Sequence, residues 1–131
     1  DYIRLINELN DIQIIILDKI PKVDEREYSG LNDTILLMNI GEMAASEVRS
    51  AQINGFELQI SDERVFLSSS NYNYYINDLV SKGLLERRQT GTSTVISPFG
   101  GKQMEHVYLL TKKAIELMEF VKLYNPATNQ F

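Results

Sequence analysis

A mainly α-helical fold carrying one small β-hairpin is predicted by three features of this 131-residue chain. The first is a stretch with helical spacing from Ser68 to Gly83, where Tyr72, Ile76, Leu79 and Val80 put apolar side chains on one face. The second is a pair of short strand-like runs: Leu84 and Leu85 leading into Arg87 and Arg88, and later Glu105–Leu110. The third is that both ends, residues 2–20 and 111–124, repeat apolar side chains at helical intervals.

Taken in order, the first helix is expected over residues 2–20. Tyr2, Leu5, Leu9, Ile12, Ile16 and Ile20 form a stripe that Ile3, Ile6, Ile14, Ile15 and Leu17 widen, and Pro21 ends it. The β-branched run Ile14–Ile16 could pair as a strand, but the long periodicity favours helix. Residues 22–29 form a charged link, in which Asp24, Glu25 and Glu27 read as a solvated loop rather than a metal site. Leu31–Ile40 is the second helix, closing at Gly41, and a short third helix runs from Met43 to about Gln52 with Glu47 and Arg49 outward. Asn54-Gly55 marks a turn. Residues 56–65 alternate in part and fit either a strand or a loop. Ser68 begins the next helix because its hydroxyl can accept from a free backbone N–H, and Gly83 ends it. The hairpin tip, residues 89–103, holds Gly91, Pro98, Gly100 and Gly101 and reads as a loop. Thr111 caps a last helix through Tyr124.

Size and composition predict one domain over residues 1–131, and 44% hydrophobic content is enough for a core. No run approaches the roughly 18 apolar residues of a membrane span, and residues 12–20 lack the flanks of a signal peptide. There is no cysteine, so neither a disulfide framework nor a thiolate metal site is expected, and a cytoplasmic location fits. The net charge of −5 is uneven. Residues 1–66 carry six Lys and Arg against thirteen Asp and Glu, while residues 67–131 carry seven against five. Positive charge therefore collects around the hairpin, where phosphates would lie.

A helix whose exposed face is Ser, Asn and Tyr, followed by a hairpin with basic residues, follows the pattern of a winged helix-turn-helix. Leu36-Leu37-Met38-Asn39-Ile40-Gly41, Glu47-Val48-Arg49-Ser50, Ser70-Asn71-x-x-Tyr74 and Leu79-Val80-x-x-Gly83 resemble a MarR-type winged-helix regulator over most of the chain. The resemblance implies a homodimer knitted by residues 2–20 and 111–124, and a DNA-binding lobe over residues 31–110. It also implies a recognition helix in each major groove and a wing on the flanking backbone. Three departures stand out. Residues 51–65 intervene inside the helix-turn-helix, Asn77-Asp78 replaces a Lys-Lys pair, and the wing lacks an Asp-Arg-Arg run, with Lys102-Gln103 nearby.

The candidate DNA-binding residues are Ser68, Ser70, Asn71, Asn73, Tyr74 and Asn77 on the helix, with Arg87, Arg88 and Lys102 on the wing. An asparagine amide matches the N6 and N7 edge of adenine, and hydroxyls reach phosphates or base edges. Alternation should send Arg87 and Arg88 to opposite faces, and Asp78 should sit near the DNA backbone and oppose binding. Enzymatic readings are poor. His106 is a lone strand histidine, the Ser68–Ser70 run serves as a helix cap, and Gly100-Gly101-Lys102 lacks phosphate-loop spacing. No cofactor or metal is expected. The expected partners are double-stranded DNA, a second copy of the chain, and a small-molecule effector between the terminal helices and the lobe, with no membrane. The alternative is a winged-helix module that binds protein, with weak or no DNA affinity. Burial of Asn71, Asn73 and Tyr74 under the 51–65 segment would favour that alternative.

Overall fold

The computed structural model describes residues 2–21, 31–90 and 105–124, and these form a mixed α and β structure. In chain order the described elements are α1 (Tyr2–Glu8), α2 (Asp11–Lys19), β1 (Leu31–Asn32), α3 (Asp33–Gly41), α4 (Ala45–Asn54), β2 (Phe56–Ile60), β3 (Glu63–Leu67), α5 (Ser69–Ser81), β4 (Leu85–Thr90), β5 (Glu105–Leu110) and α6 (Lys112–Tyr124). One antiparallel sheet has the order β1-β5-β4, and β2 pairs with β3 in a separate hairpin.

The single helix expected over residues 2–20 is two helices. Asn10 interrupts it by forming a reciprocal cap: its Oδ1 accepts from the Gln13 N–H at 2.8 Å, and its own N–H donates to Gln13 Oε1 at 3.2 Å. Both ends of that exchange satisfy helix donors that would otherwise be orphaned, which makes a new start at residue 11 favourable. The apolar stripe crosses the break because Leu9 and Ile12 both pack on the core. α1 leans on α6, where Tyr2 lies 5.8 Å from the Phe120 ring and donates its phenol to Glu116.

The second helix starts two residues later than its apolar run. Leu31 and Asn32 pair with Tyr108 and Val107 as a short strand, and Asn32 Oδ1 then caps α3 by accepting from Ile35 N–H at 2.9 Å. The left-handed residue that closes α3 is Glu42, at φ 51°, rather than Gly41. The segment that could have been strand or loop is a regular hairpin, in register from Phe56 opposite Leu67 to Ile60 opposite Glu63. Phe56, Leu58 and Leu67 are buried, while Glu57, Gln59, Arg64 and Phe66 are exposed on the other face. This second hairpin adds to the strand content, so the described residues mix α and β with helix the larger part.

Buried core residues come from every described helix except α1, whose Tyr2, Leu5 and Ile6 pack against the core only partly buried. Ile16, Leu36, Ile76, Leu79, Leu84 and Leu117 are fully buried, each contributing on the order of 1.5–3 kcal/mol. Residues 2–20 and 111–124 were expected to knit a homodimer, but the main stripes of α2 and α6 are covered within a single chain. Ile16 and Met118 are both buried there, so a charge at either position would unfold the subunit rather than split an interface. What stays outside is on α1, which has no buried residue and leaves Ile3 52% exposed.

Gly55 joins α4 to the β2–β3 hairpin at φ 91° and ψ −179°, a region open essentially to glycine alone. A Cβ there would also stand 2.4 Å from the Leu67 carbonyl oxygen. Gly55→Ala is therefore expected to lower stability by at least roughly 1–3 kcal/mol. Denaturant unfolding followed by circular dichroism measures this, and a change within a few tenths of a kcal/mol would contradict it.

Candidate nucleic-acid interface

The two faces of α5 are sharply different. Tyr72, Ile76 and Leu79 are buried on one side, while Ser70, Asn71, Asn73, Tyr74 and Asn77 are exposed on the other. Ser68 caps the helix, with its Oγ accepting from Asn71 N–H at 3.2 Å, and Ser69 Oγ donates to the Ile53 carbonyl at 3.2 Å. Tyr74 is 65% exposed, and its ring meets Tyr75 edge-on at 5.9 Å. The β2–β3 hairpin leaves Asn71, Asn73 and Tyr74 uncovered. Among the described residues the side chains of Asn71 and Asn73 make no hydrogen bond, so their amides are available to a ligand.

Beneath this face the tyrosines are held by one carboxylate. The Tyr72 phenol donates to Asp33 Oδ1 at 3.1 Å. Burial, and then the Asp33 charge, hold the phenols of Tyr72 and Tyr108 above their ordinary range, so both stay neutral and serve as structural donors. Arg87 lies opposite Tyr108 in the sheet and places its guanidinium 5.7 Å from the centroid of that ring. The same guanidinium donates to Asn77 Oδ1 at 2.5 Å, tying β4 to the exposed face of α5. Arg88 shares its strand face with Glu86, and its Nε and Nη2 donate to the two Glu86 oxygens at 2.9 and 3.1 Å. Of the two arginines, Arg87 is thus the one beside α5, and it makes no ion pair among the described residues. Lys102 lies outside the described residues.

Asp78 does not occupy the outward position expected from the sequence. Its carboxylate turns toward α2, where Gln13 Nε2 donates to Oδ2 at 2.8 Å and Lys82 Nζ donates to both oxygens at 2.7 Å. Gln13 is 2% exposed and is the one amide or charged side chain buried among the described residues. Its Nε2 also lies 3.4 Å from the Tyr75 carbonyl, giving it partners at both ends of the amide. Lys82 first, and Gln13 second, hold the Asp78 carboxyl below the usual carboxylate range. Gln13 is not among the residues expected to build the site. The legible signal was Asn10-x-x-Gln13, a cap pattern that fixes where Gln13 sits on its helix.

Two clefts adjoin these elements. One of about 540 Å³ lies between α2, the end of α3 and the β2–β3 hairpin, with Ile15, Ile40 and Leu58 in its lining and Asp18 and Glu57 beside them. A smaller one of about 220 Å³ opens next to Gln52, Ser69 and Asn73. His106 stands across from Gln89 in the sheet and, among the described residues, belongs to no group able to hold a metal ion. Among the described residues no helix is long and apolar enough to cross a membrane. Comparison with protein-family models, curated proteins and solved structures gives no match.

The lowered Asp78 pKa has a defined consequence for pH dependence. The carboxylate interactions are fully present above the unfolded value of 3.8 and are lost as pH falls through the lower folded value. Asp78→Asn is expected to cost about 1–2 kcal/mol at neutral pH and to lose that deficit below about pH 4. Thermal melts of both proteins across pH 2 to 7 check this, and parallel curves throughout would contradict it.

Proposed function

We propose that this chain is a winged helix-turn-helix protein that binds double-stranded DNA sequence-specifically, as a divergent MarR-type regulator. The observation that carries the reading is the exposed, uncharged, hydrogen-bonding face of α5, left open by the β2–β3 hairpin. The order β1, α3, α4, α5, β4, β5, with the β2–β3 hairpin set between α4 and α5, supports it, with α5 as recognition helix and β4–β5 as wing. Base edges are read by amides and hydroxyls, whereas phosphates need cations, and Arg87 supplies one at the flank of the helix. A second reading, a protein-binding module, draws on the exposed Ile53 and Phe66 and on the acidic first half of the chain.

The test is an anisotropy titration against genomic fragments at two salt concentrations. Asn73→Ala is expected to weaken the specific complex by about 1–3 kcal/mol and to leave random DNA almost unaffected. Arg87→Ala is expected to weaken all complexes about equally and to lower the salt slope by about one unit. No binding to any fragment at low salt would hand the function to the protein-binding module.

The same reading includes a homodimer and an effector. Because the stripes of α2 and α6 are covered within one chain, the seam falls to α1, whose Ile3 is exposed. The cleft between α2 and the β2–β3 hairpin is large enough for a small effector. Sedimentation is expected to show a dimer at micromolar concentration, and Ile3→Asp a folded monomer. A wild-type monomer would remove the dimer from the proposal.

A further inference from the structure

We infer that α5 reads adenine, so that the preferred DNA of this chain is A·T-rich at the bases the helix faces. This rests on the DNA reading above and extends it to the kind of sequence recognised. An asparagine amide carries one donor group and one acceptor, which match the N6 amino group and N7 of adenine in the major groove. Guanine presents two acceptors there, O6 and N7, and an asparagine set against them turns its own oxygen toward O6. Reading guanine takes two donors from one side chain, the task of arginine or lysine. The exposed face of α5 carries neither; its exposed residues are Ser70, Asn71, Asn73, Tyr74, Asn77 and Ser81.

Each of the nearby cations has a partner on this chain. Lys82 is bound to Asp78, Arg88 to Glu86, and Arg87 is turned onto Asn77 and the Tyr108 ring. Asn77 differs from the other two asparagines, because its Oδ1 already accepts from Arg87. Asn71 and Asn73 keep both donor and acceptor, and at 100° per residue they flank Tyr74 on opposite sides of the exposed face. A helix of roughly 10–12 Å diameter fits a major groove about 12 Å wide, which brings side chains of its exposed face within reach of base edges. Tyr74, between them, offers ring surface to a thymine methyl.

The experiment uses the full chain and the tightest-binding fragment from the titration, remade with 7-deaza-2′-deoxyadenosine at each adenine in turn. That base keeps its Watson–Crick edge and loses only the N7 acceptor. Losses of roughly 5- to 100-fold are expected at one or more adenines. At such a position, Asn71→Ala or Asn73→Ala should cause no further loss, since the contact is already gone. Both asparagines are exposed and unbonded among the described residues, so these variants keep the fold, which circular dichroism verifies. If every 7-deazaadenine is silent while 7-deazaguanine is not, the inference is overturned and the DNA reading stands. If no duplex binds at low salt, both fall together.

Discussion

The buried amide of Gln13 constrains more of this structure than any other polar group. An amide sealed from water must find partners for its oxygen and nitrogen, or it costs on the order of 1–3 kcal/mol for each group left unmet. Its oxygen is satisfied inside its own helix start by Asn10, and its nitrogen only by Asp78 and the Tyr75 carbonyl on α5. The two helices can therefore meet in one register. Sliding α5 by a residue along α2 would strand both the amide and the Asp78 carboxylate. That register in turn fixes which face of α5 points away from the core, and so puts Asn71, Asn73, Tyr74 and Asn77 outside.

The same contact reshapes the electrostatics. A net charge of −5 suggests a poor DNA binder, yet the carboxylate on α5 is turned inward and matched by Lys82. Glu86 is matched by Arg88 in the same way. The α5 face is left neutral, with the Arg87 guanidinium at its edge. The excess acid lies in residues 1–66, and at physiological salt its field decays over about 8 Å. For the reading proposed here, discrimination between bases falls to uncharged hydrogen bonds, and non-specific affinity stays low.

Much of this arrangement was legible because it rests on local chemistry. The Ser68 cap, the glycine stop at Gly83, the Thr111 cap and the inward row Tyr72, Ile76 and Leu79 all follow from spacing and side-chain type. The division of Arg87 and Arg88 between two strand faces followed from alternation. What escaped reading depends on partners distant in sequence. The direction of Asp78 is set by Gln13, 65 residues away, and no periodicity within α5 reveals it. The break at Asn10 was masked by an apolar stripe that continues on both sides of it. The strand at Leu31–Asn32 exists only because β5 returns to pair with it.

The β2–β3 hairpin joins α4 to α5 without covering the exposed face of α5. Its inner residues Phe56, Leu58 and Leu67 join the main core, so the hairpin is anchored at its base rather than free to swing over α5. Gly55 sets the direction of departure, because its backbone conformation is closed to side-chain-bearing residues and its Cα faces the Leu67 carbonyl closely. From that point the strands reach the 540 Å³ cleft beside α2, on which Leu58, Gln59 and Ile60 all border. α2 also carries Gln13. One short helix therefore borders the cleft on one side and, through Gln13, holds the orientation of α5 on the other.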